Sequence, residues 1–259
     1  MFWINSPHRA AFASLGLNST AAIARYFFGE APRDHRGVQI IKRTLPAGGQ
    51  SIPVFCKQYL FPTATWKFIG RSSKARCEFA NYEVFSNLEI PCAEPVVCGE
   101  ERDWMGRLRR AYIVTREVPE AQTLVEFFRS GPVDRMVRAE LVRQIAEMTR
   151  RIHHAGFFHH DLVWRNILVT RDPTPKLWWI DCPRGQFDHW SPWRNRRRLK
   201  DLASLDKLAS QECTERERVR FIRIYLVQER LGSSGKKLVR DALAYRKKRW
   251  PEDWIDPAG

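Results

Sequence analysis

The sequence lacks any continuous apolar run of about 18 residues, the length that a membrane-spanning helix requires. Its first residues also lack the basic segment and continuous apolar stretch of a secretory signal peptide. Six cysteines are present, but none form a Cys-x-x-Cys pair, and no Cys and His pairs have the spacing of a zinc site. We therefore expect a cytoplasmic protein whose cysteines are reduced and mostly buried.

Acidic residues are few relative to basic ones, with 29 Asp and Glu against 44 Lys and Arg and a net charge of +15. Such an excess favours a polyanionic partner, which is a nucleic acid, an anionic membrane surface or a phosphorylated substrate. The densest basic stretches are residues 194–200 and 246–249, which Trp193 and Trp250 border. Basic residues beside tryptophan suit lipid head groups as well as nucleic-acid bases.

The most informative segment spans residues 157–181. It contains a His-x-Asp sequence ending at Asp161, then Asn166, and later Asp181. Apolar runs at 167–170 and 177–180 flank turn-forming residues, which predicts a hairpin. That hairpin would place Asn166, at the start of one strand, beside Asp181, at the end of the other. Phosphoryl transfer needs an Asp that accepts a hydroxyl proton. It also needs side chains that hold Mg²⁺, and an Asn and a second Asp can do so.

This segment resembles the catalytic loop and metal-binding Asp of the protein-kinase-like fold. Within that superfamily it is most similar to the lipopolysaccharide core kinases, the bacterial heptose and Kdo kinases. The resemblance implies an α+β, bilobal fold with a small, mainly β N-terminal lobe (residues 1–117) and a larger helical C-terminal lobe (118–259). It also implies ATP and Mg²⁺ as cofactors, Asp161 as the catalytic group, and Asn166 and Asp181 as the metal ligands.

A strand pair is predicted at residues 38–45 and 52–60, and it carries Lys57. The local sequence resembles the kinase strand whose Lys contacts the ATP phosphates and a helix Glu. The following helix contains Glu78 and Glu83. The family pattern favours Glu78 as the partner of Lys57, with Glu83 as the second candidate.

Serines 72 and 73 can cap the start of that helix. Two further strands are predicted at 95–98 and 111–115. The residues after them occupy the position of the kinase hinge, so the resemblance assigns the backbone groups of Glu117 and Val118 to the adenine.

The C-terminal part is predicted to be helical. A short helix at 124–128 and a long one at 134–155, with an apolar stripe, precede the catalytic loop. A later helix is expected from Leu199, and by resemblance its Asp201 holds the backbone of the catalytic loop. Thr214 and Glu217 form a capping-box pattern at the start of another helix. A last, basic helix is predicted at 236–248.

The sequence departs from protein kinases in three ways. No G-x-G-x-x-G loop is present, and Gly48 and Gly49 lie just before the strand that carries Lys57. Position 163 is Val where many protein kinases have Lys, so Arg165 or Arg184 is the candidate for the positive charge on the transferring phosphoryl group. The segment after Asp181 is too short to form a groove for a protein substrate, which favours a small or sugar acceptor.

These features predict an ATP-dependent kinase that phosphorylates heptose or Kdo in the lipopolysaccharide inner core, at the inner face of the inner membrane. The expected partners are the core glycolipid and an anionic membrane surface, with no nucleic acid and no stable protein partner. An aminoglycoside-type small-molecule kinase is the alternative within the same class. A non-catalytic pseudokinase or basic adaptor on anionic lipid or nucleic acid is the other, and the intact Asp161, Asn166 and Asp181 argue against it.

Overall fold

The computed structural model describes residues 1–29, 37–47, 49–171 and 174–251, and the described chain is mixed α+β, as expected. Its contacts define two compact units: Met1–Ser86 with Cys92–Val118, and Asn87–Pro91 with Pro119–Gly259. The assignment of residues 1–117 and 118–259 to two kinase lobes stays a prediction. None of the helices within the described ranges is long and apolar enough to cross a membrane. Gly48 and the turn residues 172 and 173 lie outside the described residues.

A five-stranded antiparallel sheet forms the core of the first unit. In chain order its strands are β1 (Phe2–Ile4), β2 (Gly37–Ala47), β3 (Gln50–Thr65), β4 (Pro95–Arg102) and β5 (Leu108–Arg116). Their spatial order is β1-β4-β5-β3-β2. All four predicted strands are confirmed, and each is longer than predicted. Pro46 pairs with Ser51 on the edge strand β2, where a missing backbone N–H removes no bond to another strand.

The N-terminal residues through Gly29 pack onto this sheet. Helices α1 (Arg9–Ser14) and α2 (Thr20–Phe28) bury Phe12, Ile23 and Phe27 in one cluster with sheet residues. Ser19 caps α2, its Oγ accepting a hydrogen bond from the amide of Ala22 at 3.1 Å. Strand β1 was not predicted, because three residues are too few to show a periodic pattern.

Helix α3 (Lys74–Asn87) begins at the predicted serines. The Oγ of Ser73 accepts a hydrogen bond from the amide of Arg76 at 3.1 Å. The residues at positions 75, 78, 82 and 85 are buried, and this spacing of three and four places them on one face of the helix.

The second unit is mainly helical. Its helices are α4 (Leu124–Arg129), α5 (Arg135–His154), α6 (Arg194–Glu212), α7 (Glu215–Leu226) and α8 (Ser233–Arg249). Its short strands are β6 (Gln122–Thr123), β7 (Phe157–Phe158), β8 (Ile167–Thr170), β9 (Lys176–Trp179) and β10 (Gln186–Phe187). Strands β8 and β9 form the predicted hairpin, with Ile167 opposite Trp179. Strand β10 pairs with β7 and was not predicted.

The predicted apolar stripe of α5 is buried, and α6 and α8 contribute Leu202 and Leu238 to the core cluster beside it. The capping box at the start of α7 is also confirmed by reciprocal hydrogen bonds between Thr214 and Glu217. The prediction that the next helix begins at Leu199 is wrong, since α6 begins at Arg194. Arginine is a good helix former, so the basic run extends the helix beyond its apolar stripe.

Candidate active site

Lys57 on β3 and Glu78 on α3 form an ion pair within the first unit, with Nζ 3.1 Å from Oε2. Both side chains are largely buried. The hydroxyls of Tyr59 and Tyr82 donate hydrogen bonds to Glu78 at 3.5 and 3.4 Å. The carboxylate is therefore fixed from several sides, and it holds the ammonium group in one position. An ammonium group has three donors, so this pairing is compatible with a further contact to a phosphate.

The structure separates the two candidate acids on α3. Glu78 lies on the buried face and pairs with Lys57, whereas Glu83 is exposed. The geometry therefore assigns the ion pair to Glu78.

At the predicted hinge, the backbone N–H of Glu117 already has a hydrogen-bond partner. Its amide donates to the carbonyl of Pro53 at 2.9 Å, and its side chain accepts from Lys42 at 2.7 Å. The carbonyl of Glu117 and the backbone groups of Val118 are the hinge groups that could pair with an adenine.

In the second unit, Asp201 of α6 holds the start of the catalytic loop, as the family resemblance implied. Its buried carboxylate accepts hydrogen bonds from the amides of His159 and His160, each at 2.8 Å. Burial opposes ionisation most strongly, but the hydrogen bond from His153 and the electrostatic influence of the neighbouring histidines together outweigh it and keep the pKa of Asp201 below its usual range. An ionised acceptor makes strong hydrogen bonds, so the loop backbone is firmly anchored.

The two histidines of the loop add no positive charge beside Asp161. Burial lowers the pKa of His159, and it lowers the pKa of His160 to about 4. Both are therefore neutral near pH 7. His160 also has a φ of 65°, a left-handed conformation that is uncommon outside glycine and occurs often at functional sites.

Asp161 is oriented by its own loop. The side-chain amide of Asn166 donates to the backbone carbonyl of Asp161 at 2.9 Å. The Asp161 carboxylate is 36% exposed, and a guanidinium nitrogen of Arg165 lies 3.9 Å from it. The carboxylate is therefore accessible to a ligand, whereas Asn166 is buried and its orientation is fixed.

The hairpin brings Asn166 to within one residue of register with Asp181. The amide of Ile180 donates to the carbonyl of Asn166 at 3.0 Å, which places Asn166 opposite the residue before Asp181. Asp181 itself has a φ of 57°. The bond from Asn166 to Asp161 uses the amide nitrogen, so Oδ1 is the atom of Asn166 that suits a cation. Oxygen ligands of this kind fit Mg²⁺.

Arg184 is exposed and lies within electrostatic reach of Lys200, the residue before Asp201. Burial lowers the pKa of Lys200, and the charges of Arg184 and Arg249 lower it further, while Asp201 and Asp161 act in the opposite direction. Lys200 therefore places positive charge within electrostatic reach of Asp161, and Arg184 and Arg249 lie within reach of Lys200. Lys200 and Arg249 belong to the two basic stretches of the sequence, but no local pattern links these stretches, and only folding brings Arg249 of α8 near Lys200 of α6.

The basic stretch at the start of α6 is not a uniform solvated patch. Arg197 pairs with the buried Asp188 at 3.1 Å, and Arg198 donates to the hydroxyl of Tyr225 at 2.6 Å. These two arginines support the fold, which leaves Arg194 and Arg196 as the exposed members of the run.

His153, at the end of α5, connects three elements. Its ring lies 2.8 Å from the hydroxyl of Tyr225 on α7 and 3.3 Å from Asp201 on α6. The only sequence signal was its position at the end of α5, just before the catalytic loop. It acts on that loop through Asp201.

Comparisons with known proteins agree with this geometry. A model described as the lipopolysaccharide kinase (Kdo/WaaP) family matches residues 60–225, which include Glu78 and the whole catalytic loop and begin three residues after Lys57. A curated relative, the 3-deoxy-D-manno-octulosonic acid kinase of Vibrio cholerae serotype O1, is 33% identical over 97 residues. These residues make up 37% of this chain and 39% of the relative, so the aligned part spans well under half of either protein. Because the family model matches more than half of the sequence, the chain belongs to the lipopolysaccharide kinase (Kdo/WaaP) family.

Proposed function

We propose that the protein is an ATP- and Mg²⁺-dependent kinase that phosphorylates a hydroxyl of an inner-core sugar of lipopolysaccharide, either heptose or Kdo. The observation that carries this proposal is the catalytic loop, in which Asp201 anchors the backbone and Asn166 bonds the carbonyl of Asp161. This loop lies inside the span that the family model matches. A complete loop of this kind favours catalysis over a pseudokinase.

Asp161 is the proposed catalytic group. Its accessible carboxylate would orient the acceptor hydroxyl and accept its proton as the oxygen attacks the γ-phosphorus of ATP. Arg165, whose side chain lies 3.9 Å from Asp161, or Arg184 would place positive charge on the transferring phosphoryl group.

Asn166 and Asp181 would hold Mg²⁺, because their oxygens are the hard ligands that this ion prefers. When bound, the ion would neutralise charge on the ATP phosphates. Mg²⁺ takes most of its remaining ligands from phosphates and water, so two protein groups suffice. In the part of the chain that the structure describes, no cluster of three or more His, Cys, Asp or Glu side chains could hold a metal ion.

The remaining nucleotide contacts are proposed for the first unit. Lys57, fixed by Glu78, would bind ATP phosphates. The carbonyl of Glu117 and the backbone of Val118 would pair with the adenine, since the amide of Glu117 already bonds Pro53.

The acceptor is proposed to be anionic. Arg184 and Arg249 each lie within electrostatic reach of Lys200, and Lys200 is also within reach of Asp161. The relative from Vibrio cholerae is named for an acid sugar, whose carboxylate would suit such surroundings. The acceptor would be the lipopolysaccharide core glycolipid at the cytoplasmic face of the inner membrane, and the protein would act there as a peripheral enzyme.

The test measures transfer of label from γ-labelled ATP to core acceptors that end in Kdo or in heptose. Asp161→Asn should lower turnover by at least about 10²-fold and leave the Mg²⁺-dependent thermal shift with ATP intact. Asp241→Asn is a matched control, because this carboxylate is 35% exposed and also has a basic residue four positions away. It should have wild-type turnover.

Two other results would replace the proposal. Preferential phosphorylation of an aminoglycoside would indicate a small-molecule kinase. Salt-sensitive binding of nucleic acid or anionic lipid without any ATP-dependent thermal shift would indicate a basic adaptor.

A further inference from the structure

Two neighbouring loops of the first unit expose large apolar side chains. One follows β3 and contains Trp66 and Ile69, and the other joins β4 to β5 and contains Trp104 and Met105. We call these four residues the tryptophan tip. Trp104 is 90% exposed and Trp66 is 58% exposed. Tryptophan is usually well buried, so two exposed tryptophans in adjacent loops are unusual.

The turn that carries Trp104 is fixed by hydrogen bonds. Oδ1 of Asp103 accepts from the amides of Met105 and Arg107 at 3.0 and 2.9 Å. Its Oδ2 lies 2.7 Å from Nε of Arg107. The backbone of Asp103 bonds Gly106 and Arg107 as well. Trp104 therefore projects from an ordered turn.

Arg102 makes hydrogen bonds to both loops. Arg102 donates to the carbonyls of Phe68 and Arg71 in one loop, at 2.8 and 3.0 Å, and to the carbonyl of Gly106 in the other, at 3.0 Å. Its remaining donors bond the buried Glu100 at 3.0 and 2.8 Å. All five guanidinium donors are thus used, three of them to hold the loops together and two to fix the guanidinium on Glu100. The two loops that form the tryptophan tip are therefore held in place by specific hydrogen bonds.

The charges around the tryptophan tip indicate which class of partner it binds. Segments 66–71 and 102–107 together contain four basic residues and one acid, and that acid, Asp103, is paired with Arg107. Lys67 and Arg71 are exposed beside the tryptophans. Tryptophan with basic neighbours is the combination that binds the interface of an anionic bilayer, where the ring enters the head-group region and the cations face lipid phosphates. A nucleic acid would require more phosphate contacts than two exposed cations provide.

We propose that the tryptophan tip docks the protein on an anionic membrane surface. The purpose of this contact rests on the proposed function, since the acceptor is a glycolipid in a bilayer. The contact would place the enzyme at the surface where its acceptor lies. Because docking needs no catalysis, its test does not depend on kinase activity.

The experiment measures partition of the purified protein onto phosphatidylcholine vesicles with and without phosphatidylglycerol. Replacing Trp66 and Trp104 together by Ala should weaken binding to the anionic vesicles by at least about tenfold. The matched control replaces Trp190 and Trp193, which are 95% and 58% exposed in the second unit. This control should bind as the wild type does. Both variants should melt close to the wild type, because these side chains are exposed.

A charge variant separates the contribution of the basic side chains to vesicle binding from that of the tryptophans. Lys67→Gln with Arg71→Gln should weaken binding several-fold at low salt and much less at high salt, since this contribution is screened. The tryptophan variant should lose affinity at both salt concentrations. On a lipid-free core oligosaccharide, the tryptophan variant should have the kcat and KM of the wild type.

Three results would overturn the proposal. One is wild-type vesicle binding by the Trp66 and Trp104 variant. Another is loss of binding only in the Trp190 and Trp193 control, which would move the contact to the start of α6. The third is a concentration-dependent dimer, detected by light scattering, that is lost in Trp104→Ala. The tryptophan tip would then be a contact between two copies of the chain. Failure of kinase activity with normal vesicle binding would overturn the proposed function alone.

Discussion

Asp201→Asn should uncouple the catalytic loop from α6. The buried carboxylate accepts hydrogen bonds from two consecutive loop amides, at His159 and His160, both at 2.8 Å. Asparagine has nearly the same shape but only one acceptor oxygen, so its NH₂ group would face one of these amides. One amide keeps its partner and the other loses it.

The magnitude follows from the two bonds. A hydrogen bond to a charged group contributes about 1.5–3 kcal/mol, and an unsatisfied buried amide costs about 1–3 kcal/mol. We therefore expect the free energy of unfolding to fall by about 2–5 kcal/mol, which most domains survive at 25 °C. A displacement of the loop by about 1 Å can lower turnover by about 10²-fold. KM for ATP should change less than kcat, because Lys57 and the predicted hinge backbone belong to the first unit, whereas Asp201 belongs to the second.

The assay compares Asp201→Asn with Asp206→Asn by urea unfolding and by steady-state kinetics. Asp206 lies on the same helix and pairs with Arg218 at 2.8 Å and with the buried Arg246. Its replacement should also reduce stability, but its partners Arg218 and Arg246 lie on α7 and α8 and not in the catalytic loop. We expect a large fall in kcat for Asp201→Asn and near wild-type kcat for Asp206→Asn. Equal kcat values in the two variants would refute the positioning role of Asp201.

Further predictions concern the ligands and the response to acid. Asp181→Ala should abolish the Mg²⁺-dependent thermal shift with ATP, and Asn166→Ala should weaken it less, because only the first change removes a charged ligand; equal shifts would exclude the metal site. Glu78→Gln should raise KM for ATP by freeing Lys57, measured by steady-state kinetics, whereas an unchanged KM would contradict the proposed phosphate contact. An arginine hydrogen bond lowers the pKa of Glu217 from 4.5 to about 2, so this carboxylate should stabilise the fold above pH 4.5 and lose that contribution as the pH falls to 2. Glu217→Gln should therefore be less stable than the wild type at pH 7 and nearly equal to it at pH 2, as measured by thermal unfolding, and a constant difference would contradict the pairing.

The local parts of the site were predictable from the sequence. The two apolar runs and the turn residues between them predicted the hairpin, and the structure places Asn166 opposite Ile180, one residue before the predicted partner Asp181. The cap at Ser73 and the capping box at Thr214 are likewise decided within four residues. The α+β class followed from the family resemblance.

The long-range parts were not predictable in the same way. The buried face of α3 decides between Glu78 and Glu83, and that face depends on the sheet against which the helix packs. The sequence also could not show that Arg197 and Arg198 of the basic stretch pair with Asp188 and Tyr225 and so stabilise the fold. His153 gained its role only because α6 and α7 meet beside it.

The measurement that tests the central claim most directly is mass spectrometry of core oligosaccharide from a strain that lacks this protein. The strain is complemented with the wild type or with Asp161→Asn. We predict that the deletion removes one phosphate from a heptose or Kdo residue, that the wild type restores it, and that Asp161→Asn does not. Identical core phosphorylation in the deletion strain and its parent, or full restoration by Asp161→Asn, would contradict the account.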